Sequence, residues 1–240
     1  MGASYSPNIV KDGLVFYVDA ANPRSYPGSG TVVDSMVGSV IGNLQGGTTY
    51  STDGVGSFNF DGNDDYISLS NVNELLSYIS NAETITIGQW ARPLASNDFM
   101  SSGQMDIHPY KRQNYGTWST FPGNIIYNIG ATGQTTGCAI YKAYTNWDNW
   151  SYWCCTYDKN QGTFAERLKG YIDGVDPGGW TQYGTSGFNT ATITDFKIGL
   201  ISYYNAYAYG YQGPFHVYNR AISSKEVLQN YNALKGRFGL

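Results

Sequence analysis

Short runs in which apolar and polar residues alternate recur along this 240-residue chain from end to end, broken by Gly, Asn, Asp and Pro. A period of two sets successive side chains on opposite faces of an extended segment, and turn residues between such runs mark an all-β chain. Roughly a dozen strands are expected. The clearest lie at residues 14–19, 57–60, 66–69, 83–90, 124–129, 150–157, 168–172, 195–200 and 215–218. Within 83–90, Ile85 and Ile87 share one face and Thr84 and Thr86 the other, which predicts a buried Ile face and a wet Thr face. Asp173 and Gly174, between Ile172 and Val175, supply the positive φ angles of a two-residue hairpin turn. Near the C-terminus the pattern changes to a helical one. Ser223 and Glu226 have capping-box spacing, Ile222 and Val227 staple spacing, and Gly236 reads as a C-terminal cap, which predicts a helix over 224–235. Leu75, Leu76 and Ile79 predict a shorter helical turn over 74–79. No fixed-period repeat, heptad pattern or low-complexity linker divides the chain, so residues 1–240 read as one domain.

Composition narrows the function classes. Charged residues make up 13% of the chain and aromatics 16%, with 22 Tyr and 30 Gly, whereas an average globular protein carries roughly 25% charged residues. The 41% of hydrophobic residues is enough for a core and excludes disorder driven by low hydrophobicity. A net charge of −4 without clustered Lys and Arg excludes a nucleic-acid partner, which needs cations to displace phosphate counterions. No run approaches the roughly 20 apolar residues that span a bilayer, so membrane insertion is not expected. The N-terminus lacks the charged and then apolar pattern of a secretory signal, so synthesis in a cytoplasm is expected. Of three cysteines, Cys138, Cys154 and Cys155, the adjacent pair would point to opposite faces of a strand; buried free thiols are expected instead of a disulfide framework.

Several segments, in order, carry a family resemblance. They are GLVFYVDAANP at 13–23, SFNFDGNDDYI at 57–67, TITIGQW at 84–90, WSYWCCTYD at 150–158 and GYIDG at 170–174. The last is the tail from Gly213 through VYNRAIS at 217–223 to Tyr231, Asn232 and Ala233. Together they resemble the laminin-G-like, or concanavalin A-like, jelly-roll family. That implies an all-β fold, a two-sheet antiparallel sandwich with a short C-terminal helix. The first and last segments, with the ending RFGL at 237–240, further resemble laminin-G-like proteins encoded by tailed phages, notably those infecting marine cyanobacteria. This second resemblance implies a virion structural protein at the virion surface, present in many copies as a capsid decoration or fibre-associated module. Its implied partners are capsid or fibre proteins, with host cell-surface polysaccharide as a further one.

The residues themselves offer little for catalysis. Glycoside hydrolysis needs two opposed carboxylates, one with a raised pKa, and Glu74, Glu83, Glu166 and Glu226 do not have the alternating spacing of jelly-roll glucanases. A Ser or Cys nucleophile needs a base, and only His108, before Pro109 in an expected loop, and His216, in an expected strand, exist. Both read as surface or hydrogen-bonded histidines, so no catalytic residue and no enzymatic activity is expected. Asp61, Asp64 and Asp65 flank Gly62 and Asn63; they offer hard oxygens of the kind calcium takes, but Asp and Asn beside Gly also build turns on their own backbone. Calcium is the one cofactor considered, and Asp19 reads as fixing the first corner. The stretch containing Tyr203, Tyr204, Tyr207, Tyr209 and Tyr211 is more informative. Tyr207, Tyr209 and Tyr211 fall at period two opposite Ala206, Ala208 and Gly210, which predicts a flat aromatic strip. Such a strip could stack on sugars, meet another protein, or pack across strands within the sandwich. Trp147, among the aromatics of 141–153, has the same readings. The leading expectation is therefore a non-enzymatic virion module, with a free carbohydrate-binding lectin as the rival and a glycoside hydrolase third.

Overall fold

The computed structural model describes residues 7–80, 83–94, 108–112, 124–129, 138–184, 196–201 and 205–240. In chain order the first strands are β1 (Leu14–Val18), β2 (Val32–Asp34), β3 (Ile41–Gln45), β4 (Thr49–Ser51), β5 (Ser57–Asp61) and β6 (Tyr66–Ser70). Helix α1 (Asn73–Ser80) leads to β7 (Thr84–Pro93), β8 (His108–Arg112), β9 (Asn124–Ile129), β10 (Cys138–Ala143) and β11 (Ser151–Asp158). After the one-turn α2 (Phe164–Arg167) come β12 (Leu168–Ile172), β13 (Thr181–Gly184), β14 (Lys197–Ile198), β15 (Leu200–Ile201), β16 (Ala206–Tyr207) and β17 (Tyr209–Tyr218), then α3 (Ser224–Leu234).

All described pairings between these strands are antiparallel. The large sheet runs β12-β11-β7-β17-β5-β4, with β1 also paired to β17; facing it are the four-stranded sheets β14-β6-β3-β2 and β13-β10-β9-β8. The fold is an antiparallel β-sandwich with a C-terminal helix. Its core takes Phe16, Phe58, Phe60, Ile87, Trp153, Tyr157, Phe215 and Val217 from the large sheet, and Val33, Ile67, Ile198, Ile125, Tyr127 and Ile140 from the opposing sheets. Leu75, Leu76 and Ile79 of α1 join it, as their helical spacing predicts.

A second apolar layer lies on the outer side of the large sheet, under α3. Trp90, Trp150, Tyr152, Cys154, Tyr171 and Tyr218 face Ile222 and Val227, with Tyr231, Leu234 and Phe238 packed against them. Both faces of β11 are thus covered. Trp153, Cys155 and Tyr157 point into the sandwich and Tyr152 and Cys154 outward, so the strand is an almost uninterrupted aromatic and apolar run, as buried strands are. Cys154 and Cys155 are buried and free, on opposite faces as expected.

This second layer corrects the expectation for Thr86. It does face away from the Ile side, but it is fully buried, its Oγ1 donating to the Arg220 carbonyl at 2.8 Å and accepting from the Ile222 amide at 3.0 Å. The helix also ends differently from its sequence signals. Ser223 and Glu226 form the capping box, but α3 stops at Leu234, Gly236 lies inside a 3-10 turn over Lys235–Phe238, and Gly239, at φ 76°, is the left-handed residue after it. The strand expected at 195–200 divides into β14 and β15 around Gly199, whose φ is 90° and where a Cβ would stand 3.1 Å from the Phe60 ring. His108 opens β8 instead of lying in a loop. Asp173 and Gly174, at φ 51° and 83°, do make the predicted tight turn, and Ile172 and Val175 exchange backbone hydrogen bonds across it.

Candidate functional site

Beyond α3, two regions of the outer face carry polar and aromatic groups. One lies toward the end of β7, where β17 begins. Tyr209 stands opposite Asp61, and Tyr211 opposite Asn59 of β5 and Arg92 of β7. Both tyrosines are half-buried whereas Ala208, Gly210 and Gln212 are buried, so the alternation expected from sequence holds here. Gly210 has φ 136° and a Cβ would collide with the Arg92 carbonyl; only glycine lets β17 lie this close to β7.

Arg92 was not singled out from sequence, although two residues after Trp90 in one strand it must share that face. Its Nη1 donates to Asp53 Oδ2 at 2.5 Å, its Nε to the Asp148 carbonyl at 2.9 Å, and its guanidinium lies 5.5 Å from the Tyr211 ring centre. Asp53 Oδ1 accepts from the Trp150 indole at 2.5 Å. The cation beside Tyr211 is therefore already paired, and the pairing fixes the ring beneath it.

The remaining aromatics expected in the strip are placed otherwise. Tyr207 belongs to β16, which pairs with β15; its hydroxyl donates to Asn205 Oδ1 at 3.1 Å and its ring lies 6.3 Å from Tyr66 of the opposing sheet. The single three-ring strip is thus divided, because β16 and β17 belong to different sheets. Tyr203 and Tyr204 lie outside the described residues. Trp147, in the loop between β10 and β11, packs edge-on against Tyr144 at 4.5 Å and Trp153 at 6.0 Å, at the margin of the core.

Asp61, Asp64 and Asp65 do converge, with one oxygen of each within 4.8 Å of the others. Their bonds are those of a turn. Buried Asp65 accepts from the Gly47 amide at 2.5 Å and the Asp61 amide at 2.9 Å, and exposed Asp61 accepts from the Asn63 amide and carboxamide at 2.8 and 2.9 Å. Burial raises the Asp65 pKa, while the Asn63 bonds lower that of Asp61. Asp19 holds the first corner as expected, accepting from the Ala21 amide at 3.0 Å.

The second region is a groove of about 580 Å³ toward the start of β7, lined among others by Thr156, Asp158, Glu166, Lys169, Tyr171 and Ser223. It joins residues between 156 and 176 to the distant 221–224 segment, a meeting that the sequence pattern does not announce. Asp158 accepts from the Asn160 amide and the Gln161 side chain, and Glu166 from the Thr163 amide and hydroxyl; these bonds hold both carboxyls below their ordinary range. Neither is the protonated acid that glycoside hydrolysis requires. His216 is buried with Nε2 2.8 Å from the Tyr152 hydroxyl, and burial brings its pKa down to about 3. The neighbouring Cys154 thiol is pushed well up and Cys155 to about 12, both by burial, so neither is a thiolate at neutral pH.

No family model matches the chain, and neither does any curated protein sequence. Solved structures match over most of its length. The receptor binding domain of botulinum neurotoxin C/D mosaic serotype is 12% identical with a TM-score of 0.63, over 91% of this chain and 51% of that one. The likeness is one of fold. A botulinum neurotoxin type C structure, described as showing cell entry dependent on interaction with two ganglioside molecules, is 10% identical with a TM-score of 0.62, over 92% and 51%. Trypanosoma rangeli sialidase in complex with sialic acid is 13% identical with a TM-score of 0.63, over 98% and 36%. This chain thus spans about half the length of the neurotoxin chains and about a third of the sialidase.

Proposed function

We propose that this chain is a non-enzymatic attachment module at the surface of a tailed-phage virion, a capsid decoration or fibre-associated protein present in many copies, whose outer tyrosine face binds host-surface glycan. One observation carries the glycan half of this reading: Tyr209 and Tyr211 sit half-exposed on one sheet face, in register with the polar side chains of Asp61 and Asn59. Phenol rings offer flat apolar area to the C–H face of a pyranose, and carboxylate and carboxamide oxygens accept its hydroxyls. Proteins of similar fold, among them a receptor binding domain, a neurotoxin whose cell entry depends on two ganglioside molecules and a sialidase in complex with sialic acid, support the same direction. The virion half rests on the resemblance of the first and last segments to tailed-phage proteins and on a low-charge, aromatic-rich composition suited to permanent protein contacts.

A glycan array of host polysaccharides tests the binding. The chain is expected to bind at least one, and Tyr209→Ala to weaken that binding three- to tenfold, in line with about 0.5–1.5 kcal/mol for one aromatic contact. Absence of binding to every host polysaccharide would remove the glycan half. Mass spectrometry of purified particles tests the virion half; particles without this chain would remove it.

A further inference from the structure

Resting on that glycan-binding reading, we infer that the Tyr209 and Tyr211 face selects uncharged pyranoses and turns away sialic and uronic acids. The selectivity comes from what stands beside the rings. Tyr209 is paired in register with Asp61, an exposed carboxylate kept ionised by the two Asn63 bonds. The same loop adds exposed Asp64, whose oxygen lies within 4.8 Å of those of Asp61 and Asp65. A sugar stacked on Tyr209 therefore meets anionic oxygens at its edge.

Among the described residues, the ion pairs found join no cation to Asp61, Asp64 or Asp65. Arg92, the guanidinium against Tyr211, is bound to Asp53 and to the Asp148 carbonyl. Lys197 lies over the Tyr66 ring, on the Tyr207 flank of the opposing sheet. Hydroxyls, by contrast, are donors that an anionic oxygen accepts in charge-assisted bonds. A neutral pyranose thus satisfies the acids, while a glycan carboxylate placed beside them is repelled, as like charges are. The sialidase of similar fold is described in complex with sialic acid; the acids beside Tyr209 set the opposite preference here.

The test is an array of matched oligosaccharides, each in a neutral form and in a form capped with sialic or uronic acid. It is probed with wild-type protein, Tyr209→Ala, Asp61→Asn and Asp64→Asn, with thermal melts to confirm folding. The neutral member of a pair is expected to bind at least tenfold tighter at low salt; its own affinity should change little at physiological salt, while the preference narrows as the repulsion is screened. Tyr209→Ala should weaken it, and each Asp→Asn change should narrow the neutral preference at least threefold. If Asp61→Asn melts early, Asp64→Asn, whose side chain is exposed, carries the comparison. Tyr209-dependent binding that favours the acidic member overturns the selectivity and leaves glycan binding standing. No binding, or binding indifferent to Tyr209, overturns the site and the selectivity with it.

Discussion

Gly88 and His216 are opposite each other on β7 and β17, and a Cβ on Gly88 would overlap the imidazole and stand 2.6 Å from the Tyr152 hydroxyl. The missing side chain makes room for a buried histidine whose imidazolium form burial disfavours. Its pKa falls from 6.5 to about 3. Between these values the unfolded chain binds a proton that the folded chain does not, so stability is complete above about pH 6.5 and declines as pH falls toward 3. The slope is about 1.4 kcal/mol per pH unit within that window. Glu226, lowered from 4.5 to about 2 by its bonds to Arg220, adds a loss of the same sign only below about pH 4.5. Urea unfolding at pH 7, 6 and 5 should therefore show falling stability for wild type and a flat profile for His216→Asn; an equal slope in both would contradict the assignment. His216 was legible as a strand residue from its alternation with Phe215 and Val217, with a surface or a hydrogen-bonded place left open. The burial of Thr86 was not, because nothing within residues 83–90 reveals that the segment leading into α3, 134 and 136 residues later, bonds to it.

At the scale of elements, the C-terminal segment does more than cap the sheet. Phe238 stacks on Trp90 with ring centres 4.2 Å apart, and Arg237 reaches from the 3-10 turn to Asp19 at 2.7 Å and to the carbonyls of Gly54 and Gly56 at 2.9 and 2.8 Å. The pair is nearly sealed from solvent, with 14% of the Arg237 side chain and 8% of the Asp19 side chain exposed. Removing one member of such a pair leaves a buried charge and unpaired carbonyls, a loss of about 3–5 kcal/mol. Denaturant unfolding of Arg237→Ala should show a loss of that size, and Arg24→Ala, at an exposed position, a change near zero. Equal, small effects would mean that the clamp contributes nothing. The N-terminal segment is tied down in the same region: Asn230 accepts from the Val10 amide at 2.8 Å and donates to the Tyr218 hydroxyl, which donates to the Val10 carbonyl. Helix α3 itself was readable from its capping box. The contacts of Arg237 were not, since a charged residue near a chain end carries no pattern that names a partner 218 positions away.

For the whole molecule, alternation and turn residues were enough to give an all-β chain, and the two-sheet sandwich came from the resemblance carried by six segments in order. The site was legible only where one strand supplies it. Tyr209 and Tyr211 share a face because they are two apart in β17; Arg92, Asp61 and Asn59 join them through pairing that period alone does not specify. Tyr207 departs because its strand pairs in another sheet, and the groove near Lys169 exists only where the 221–224 segment meets residues 156–176. The two regions compete as the place where a ligand would bind. The most direct measurement is an NMR titration of the labelled protein with a bound neutral oligosaccharide, following tyrosine ring signals and the amides of β5, β12 and β17. The account predicts shifts at Tyr209, Tyr211, Asn59 and Asp61 that saturate together, with Lys169 and Tyr171 unmoved. Saturating shifts centred on Lys169 and Tyr171, with the Tyr209 ring unchanged, would contradict it.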